Sequence, residues 1–202
     1  KKKKTLVIDL DQQGNATTGL GLSNNVNSST TIYNVLNGSK SISEVINKTK
    51  FTDLDIITSN VDLSGLEHEM ADDSKRAFIL KEKLALYLKD FKDNYDYILI
   101  DCPPSLSLLT VMALVSSNSL VVPLQAEFFA LEGVTQLIKT INRIKVNLNP
   151  ELKIRGILLT MYDKRNKLSS QVEKEARDHF QNQVYNTVIP RNVRLSEAPS
   201  HG

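Results

Sequence analysis

The 202-residue sequence predicts an α/β protein with a doubly wound, mainly parallel sheet and helices on both faces. Three observations lead there. Short runs rich in Val, Ile and Leu recur along the chain, most without strict alternation, as in strands covered on both faces. Apolar stripes at helical spacing lie between several of them. Strands alternating with helices build parallel sheets, which bind ligands at the carboxyl ends of their strands.

In chain order, the first strand is TLVIDLD, residues 5–11. The polar NNVNSSTTIYN after it reads as a loop entering a helix, with Ser28 to Thr30 as N-cap candidates. LDIITSN at 54–60 is the second strand. The stretch from about Leu63 to Phe91 holds at least one long helix, with Leu80, Leu84 and Leu88 on one face. YDYILIDCPP, NSLVVPLQ, KIRGILLTMY and VYNTVIP are the remaining strands. Val134, Leu137, Ile138, Ile141 and Ile144 form one helical stripe, and Leu168, Val172 and Ala176 another.

Composition narrows the function. Apolar residues are 41% and charged residues 24%, which suits a globular core. No apolar run approaches the roughly 18 residues that span a bilayer, and Lys1 to Lys4 are followed by no signal-peptide pattern. The expected address is cytoplasmic, with no membrane partner. A lone cysteine, Cys102, and scattered histidines at 68, 179 and 201 give no support to a disulfide framework, a cysteine-rich metal site or a Ser-His-Asp triad. From Lys139 to Arg194 there are twelve basic and five acidic residues, a net of +7. That suits a polyanion partner, and equally a set of solvated helix faces.

Two strands end in aspartate. TLVIDLD leads to Asp9 and Asp11, and YILID to Asp101 before the turn Cys102-Pro103-Pro104-Ser105. A buried strand ending in a carboxylate is one way to hold Mg²⁺ beside nucleotide phosphates, and a neighbouring carboxylate can orient the attacking water. Asp at a strand end is also a common loop former. The lysine-bearing phosphate loop G-x-x-x-x-G-K-[ST] does not occur in the 202 residues. GLGLSN, Gly19 to Asn24, also fails as G-x-G-x-x-G, because Asn24 stands at the third glycine.

DLDQQGNATTGLG, YDYILIDCPPSLSLLTVMAL, VPLQAEFFALEGVTQLIKTI, GILLTMYDKR and VIPRNVRLSEAPSHG resemble consecutive blocks of the ParA/Soj family, deviant Walker ATPases of the P-loop NTPase fold that segregate bacterial chromosomes and plasmids. MinD-type relatives differ in the loop after the paired aspartates, and the nitrogenase iron protein needs cluster cysteines. By this resemblance the chain is a single ParA-type ATPase domain over 1–202, truncated at both ends. It lacks a first strand-loop-helix unit of roughly thirty residues, which leaves exposed sheet edges, and a C-terminal helix. Gln12 stands where the family usually has Pro and is expected to loosen the turn after Asp11.

The resemblance implies a role for each matching residue. Asp11 positions or activates the water that attacks the γ-phosphate. Asp9 and Asp101 support Mg²⁺, mainly through water. Pro103 and Pro104 open a switch loop. Met161, Asp163, Pro190 and Asn192 border the nucleotide base. Arg165 and Arg194 grip double-stranded DNA without sequence preference. The implied cofactors are ATP and Mg²⁺. The implied partners are a second copy in an ATP-dependent homodimer, a ParB-type centromere-binding protein and the nucleoid. Without a phosphate cradle the 202 residues alone are expected neither to bind ATP tightly nor to hydrolyse it. The alternative is a non-catalytic fragment that acts at most as an interaction module.

Overall fold

The structure is a computed structural model, and it describes residues 3–22, 28–127 and 130–198. Phe128, Phe129, Asn24 and the final Pro199 to Gly202 of the sequence blocks above lie outside the described residues. The chain divides into two compact units, Lys1–Ser116 with Glu197–Gly202, and Ser117–Ser196.

The first unit holds a four-stranded sheet in the order β2-β3-β1-β4. β1 is Thr5–Asp9, β2 Ile46–Lys48, β3 Leu54–Ile57 and β4 Tyr97–Asp101. β1 runs parallel to both β3 and β4, in a register that sets Ile8 beside Ile57 and Asp9 beside Asp101. β2 pairs antiparallel with β3. It has three residues and only one is apolar, so no pattern in the sequence announces it.

The helices of this unit are α1 (Asn15–Gly19), α2 (Ile32–Leu36), α3 (Leu66–Glu69), α4 (Ile79–Phe91) and α5 (Leu108–Ser116). Leu6, Ile8 and Leu10 are fully buried in a core with Val35, Leu66, Leu80, Leu84 and Met112. Ile98 and Ile100 pack against the same core. α2 starts one residue later than the predicted caps: Thr31 is the N-cap, and its backbone N–H donates to Asn34 Oδ1 at 2.9 Å. On α4 the buried face is Leu80, Leu84 and Tyr87, and Leu88 is turned outward.

One face of β4 is open, contrary to the expectation of strands covered on both sides. Tyr97 and Leu99 are 56% and 55% exposed, while Ile98 and Ile100 point into the core. The run YILI is apolar at every position, so its lack of alternation concealed a strand with one buried face.

At the other end of this sheet Asp55 is buried on β3. It accepts hydrogen bonds from Lys48 Nζ at 2.7 Å and the Tyr95 hydroxyl at 2.6 Å. Burial pushes its pKa up, but these two partners outweigh burial and leave it below the usual carboxylate range.

The second unit holds a parallel sheet in the order β5-β6-β7: Ser119–Gln125, Lys153–Tyr162 and Val184–Pro190. Its helices are α6 (Ala130–Asn147) and α7 (Lys167–Phe180), followed by α8 (Val193–Glu197), whose last residue belongs to the first unit. Val134, Ile141 and Ile144 of the predicted α6 stripe are buried, as are Val172 and Ala176 of α7. β5 alternates exposed and covered residues, with Val121 open and Val122 and Leu124 buried. The parallel-dominated α/β class therefore stands, with its strands in two hydrogen-bonded sheets.

Candidate functional site

In the first unit the sheet register brings the two aspartate-terminated strands together. Asp9 and Asp101 are direct neighbours on parallel strands, and the Leu10 N–H donates to the Asp101 carbonyl at 2.7 Å. Asp9 is fully buried, and both its carboxylate oxygens are engaged. Oδ2 accepts from the Thr17 N–H at 2.8 Å and the Thr17 hydroxyl at 2.7 Å, and Oδ1 accepts from the Asp11 N–H at 3.2 Å. Asp9 thus folds the β1–α1 loop back over the strand end.

Asp11 leads the loop out of the sheet. Its carbonyl accepts from the Gly14 N–H at 2.9 Å and from the Ser59 hydroxyl at 2.5 Å. Its Oδ1 accepts from the Gln13 N–H at 3.0 Å, the local turn bond typical of Asp. Gly14 completes the turn at φ 63, a left-handed conformation that costs glycine little. The turn is therefore closed by hydrogen bonds with Gln12 in place.

Asp101 carries the electrostatic strain of the site. As a residue Asp101 is exposed at the end of β4, yet partial desolvation of its carboxyl raises its pKa first, and the Asp9 and Asp11 charges raise it further. The Cys102 thiol next to it is pushed up to about 11 by burial and by the Asp101 and Asp11 charges, so it is a thiol rather than a nucleophile. A divalent cation relieves such a concentration of negative charge, and these hard oxygen donors suit Mg²⁺. Among the described residues no three His, Cys, Asp or Glu side chains come together as a metal cage. Such a set suits an ion that keeps much of its water and is bound partly by phosphate oxygens.

The Pro103–Pro104 loop is tied down beyond its prolines. The Thr110 hydroxyl donates to the Ser105 carbonyl at 2.6 Å, and Glu67 Oε1 accepts from the Leu108 N–H at 2.6 Å, the start of α5. Sequence reasoning missed Thr17, Ser59 and Glu67. The one available signal was that Ser59 and Asn60 follow an apolar strand, the same edge that carries the aspartates.

In the second unit Met161, Asp163, Pro190 and Asn192 come together at the carboxyl ends of β6 and β7. Tyr162 pairs with Pro190, and the Arg191 N–H donates to the Tyr162 carbonyl at 3.0 Å. Met161 lies at φ 52 beside a break in the β6–β7 register, and such irregularities cluster at functional edges. Asn192 Oδ1 accepts from the Arg194 N–H at 2.9 Å.

Arg165 and Asp163, assigned separate roles from the sequence, face each other. Asp163 Oδ1 accepts from Arg165 N at 3.0 Å and Nε at 3.2 Å, and Oδ2 from Nη2 at 3.2 Å. The guanidinium holds the carboxyl below its usual range, helped by the backbone N–H of Arg165 and the charge of Arg191. The Arg165 side chain is 91% exposed.

Comparison with known proteins places the chain among relatives. The family model described as an AAA domain matches residues 1–154. A chromosome partitioning protein ParA from Caulobacter vibrioides is 49% identical over 200 residues, covering 99% of this chain and 74% of its own. The sporulation initiation inhibitor protein Soj of Bacillus subtilis is 46% identical, with 99% and 77% covered. Among solved structures, a cobyrinic acid a,c-diamide synthase from Mycobacterium smegmatis with bound ATP analog and magnesium is 33% identical. It superposes with a TM-score of 0.84, covering 94% of this chain and 75% of that one. A plasmid partition protein from Borrelia burgdorferi is 25% identical with a TM-score of 0.78, covering 98% and 82%.

Proposed function

The chain belongs to the ParA/Soj family of chromosome-partitioning ATPases, and from that premise we propose that it is a partition ATPase domain. In this reading it hydrolyses ATP in an ATP-dependent dimer, binds DNA without sequence preference and is released by a ParB-type partner. The observation that carries the reading is the junction of β1 and β4: two aspartates in register at neighbouring parallel strand ends, with Asp11 fixed two residues on.

In the proposed mechanism Asp11 orients the water for in-line attack on the γ-phosphate. Asp101, with Asp9 behind it, would hold Mg²⁺ through water, and the ion would neutralise charge that develops on the phosphate oxygens. Asp9 also shapes the loop through Thr17. Pro103 and Pro104 begin a loop that responds to the γ-phosphate, while Met161, Asp163, Pro190 and Asn192 border the base. Arg165 and Arg194 neutralise DNA phosphates, and the basic excess of the C-terminal half supports that role. The 202 residues contain no lysine-bearing phosphate loop, so turnover is tested in a chimera with a family-type K-G-G-x-G-K-T-T unit grafted before Lys1. Asp11→Ala is expected to lower kcat there by about 10²–10⁴-fold. Unchanged turnover in that variant would remove Asp11 from the chemistry.

A further inference from the structure

We propose that Ser59, at the exit of β3, is a positioning residue for Asp11, and that it works through a relay Asp9–Thr17–Ser59–Asp11. This rests on the reading of Asp11 as the group that orients the attacking water.

The relay is a closed ring of hydrogen bonds around the β1–α1 loop. Asp9 accepts from both the N–H and the hydroxyl of Thr17. With its proton given to Asp9, the Thr17 hydroxyl accepts from the Ser59 N–H at 3.1 Å. The Ser59 hydroxyl donates to the Asp11 carbonyl at 2.5 Å, and the Asp11 N–H returns to Asp9 at 3.2 Å. Asp9, Thr17 and Ser59 are all buried, at 0%, 2% and 3% exposure, so water does not compete for these bonds.

The consequence falls on Asp11. Its N–H is held by Asp9, and its carbonyl takes two donors, Ser59 and Gly14. Both peptide planes at Asp11 are thereby fixed. Only the side chain remains free to choose a rotamer, and the Gln13 N–H selects one. Ser59 follows β3 whereas Asp11 follows β1, forty-eight positions earlier, so the bond also ties the loop to the chain leaving β3. A catalytic carboxylate needs this kind of support, because a displacement of about 1 Å can cost on the order of 10²-fold in rate.

The test compares Ser59→Ala with Ser59→Thr, which keeps the hydroxyl. The first readout is the Asp11 χ1 rotamer population, measured by NMR scalar couplings in the 202-residue chain and independent of ATP. A single rotamer in the parent and in Ser59→Thr, with averaging in Ser59→Ala, is the expected result. A single Asp11 rotamer retained in Ser59→Ala overturns the proposal. If Ser59→Ala does not fold, Ser59→Cys fills the same space with a weak donor and carries the same comparison.

The second readout is ATP turnover in the grafted chimera. Ser59→Ala should lower kcat by on the order of 10- to 100-fold with KM unchanged, and Ser59→Thr should restore it. An unchanged kcat in Ser59→Ala also overturns the proposal. If Asp11→Ala itself leaves turnover intact, the reading of Asp11 fails, and the rotamer measurement still decides whether Ser59 positions it.

Discussion

Asp101 shows how this protein spends stability at a single residue. Its pKa is raised by burial and by Asp9 and Asp11, so the folded state holds a proton more tightly than the unfolded chain does. As pH rises from the ordinary carboxylate value of about 4 to the folded value, stability therefore falls, and the deficit persists at neutral pH. Asp101→Asn is expected to raise the melting temperature at pH 7, with the gain fading below about pH 4, while it weakens Mg²⁺-dependent nucleotide binding in the grafted chimera. A lower melting temperature at pH 7 would show that the carboxylate is stabilised where it sits. Asp55 has the opposite sign. Its lowered pKa adds stability above the ordinary carboxylate range, which is lost as pH falls through the folded value. Tyr95→Phe, which removes a hydrogen bond to that buried charge, should cost about 1.5–3 kcal/mol in denaturant unfolding. Arg165 presents a third case. Its partner Asp163 forms an exposed, screened pair that a DNA phosphate can displace. Arg165→Ala and Arg194→Ala should each weaken DNA binding similarly on all sequences and flatten the salt slope by about 0.9. A sequence-dependent loss would contradict phosphate contact.

At the scale of elements, the long apolar strands were the most legible. KIRGILLTMY and VYNTVIP match β6 and β7 residue for residue, because they are bounded by polar segments and rich in β-branched and aliphatic residues. β3 stops at Ile57, earlier than the predicted strand: the Thr58 carbonyl accepts from the Ile32 N–H, and Ser59 bonds to Thr17 and Asp11. β2 was not legible, since three residues carry no period. The aspartates were found from their places after apolar strands. Thr17, Ser59 and Glu67 were not, because their roles depend on partners 8 to 48 positions away that local patterns do not reveal. Gly156 within β6 is another such case. It sits at φ 159 next to a skip in the β5–β6 register, and a Cβ there would lie 2.9 Å from the Gln183 carbonyl and 3.0 Å from the Tyr185 ring. Gly156→Ala should destabilise the second unit by about 1–3 kcal/mol, read as a lower denaturation midpoint. A neutral result would mean that the turn into β7 can give way.

Across the whole chain, the residues given proposed roles fall in both units. Asp9, Asp11, Asp101, Pro103 and Pro104 are in the first, and the candidate base-contacting and DNA-contacting residues are in the second. Asp9 is buried, Asp11 half-buried and Asp101 exposed at the strand ends, while most of the arginines and lysines of the C-terminal half are surface groups, a distribution that suits the proposed phosphoryl transfer and salt-dependent polyanion contact. Family membership is shared by the whole length, with 99% of the chain aligned to the Caulobacter and Bacillus proteins. In the proposed function these residues form the water-orienting and metal-holding part of an ATPase that a phosphate loop completes. The most direct test is equilibrium ATP binding with Mg²⁺ to the 202-residue chain and to the chimera with K-G-G-x-G-K-T-T grafted before Lys1. Of the two, only the chimera is expected to bind ATP and to dimerise on doing so. Tight binding by the ungrafted chain, or no binding by either protein, would contradict the proposed function.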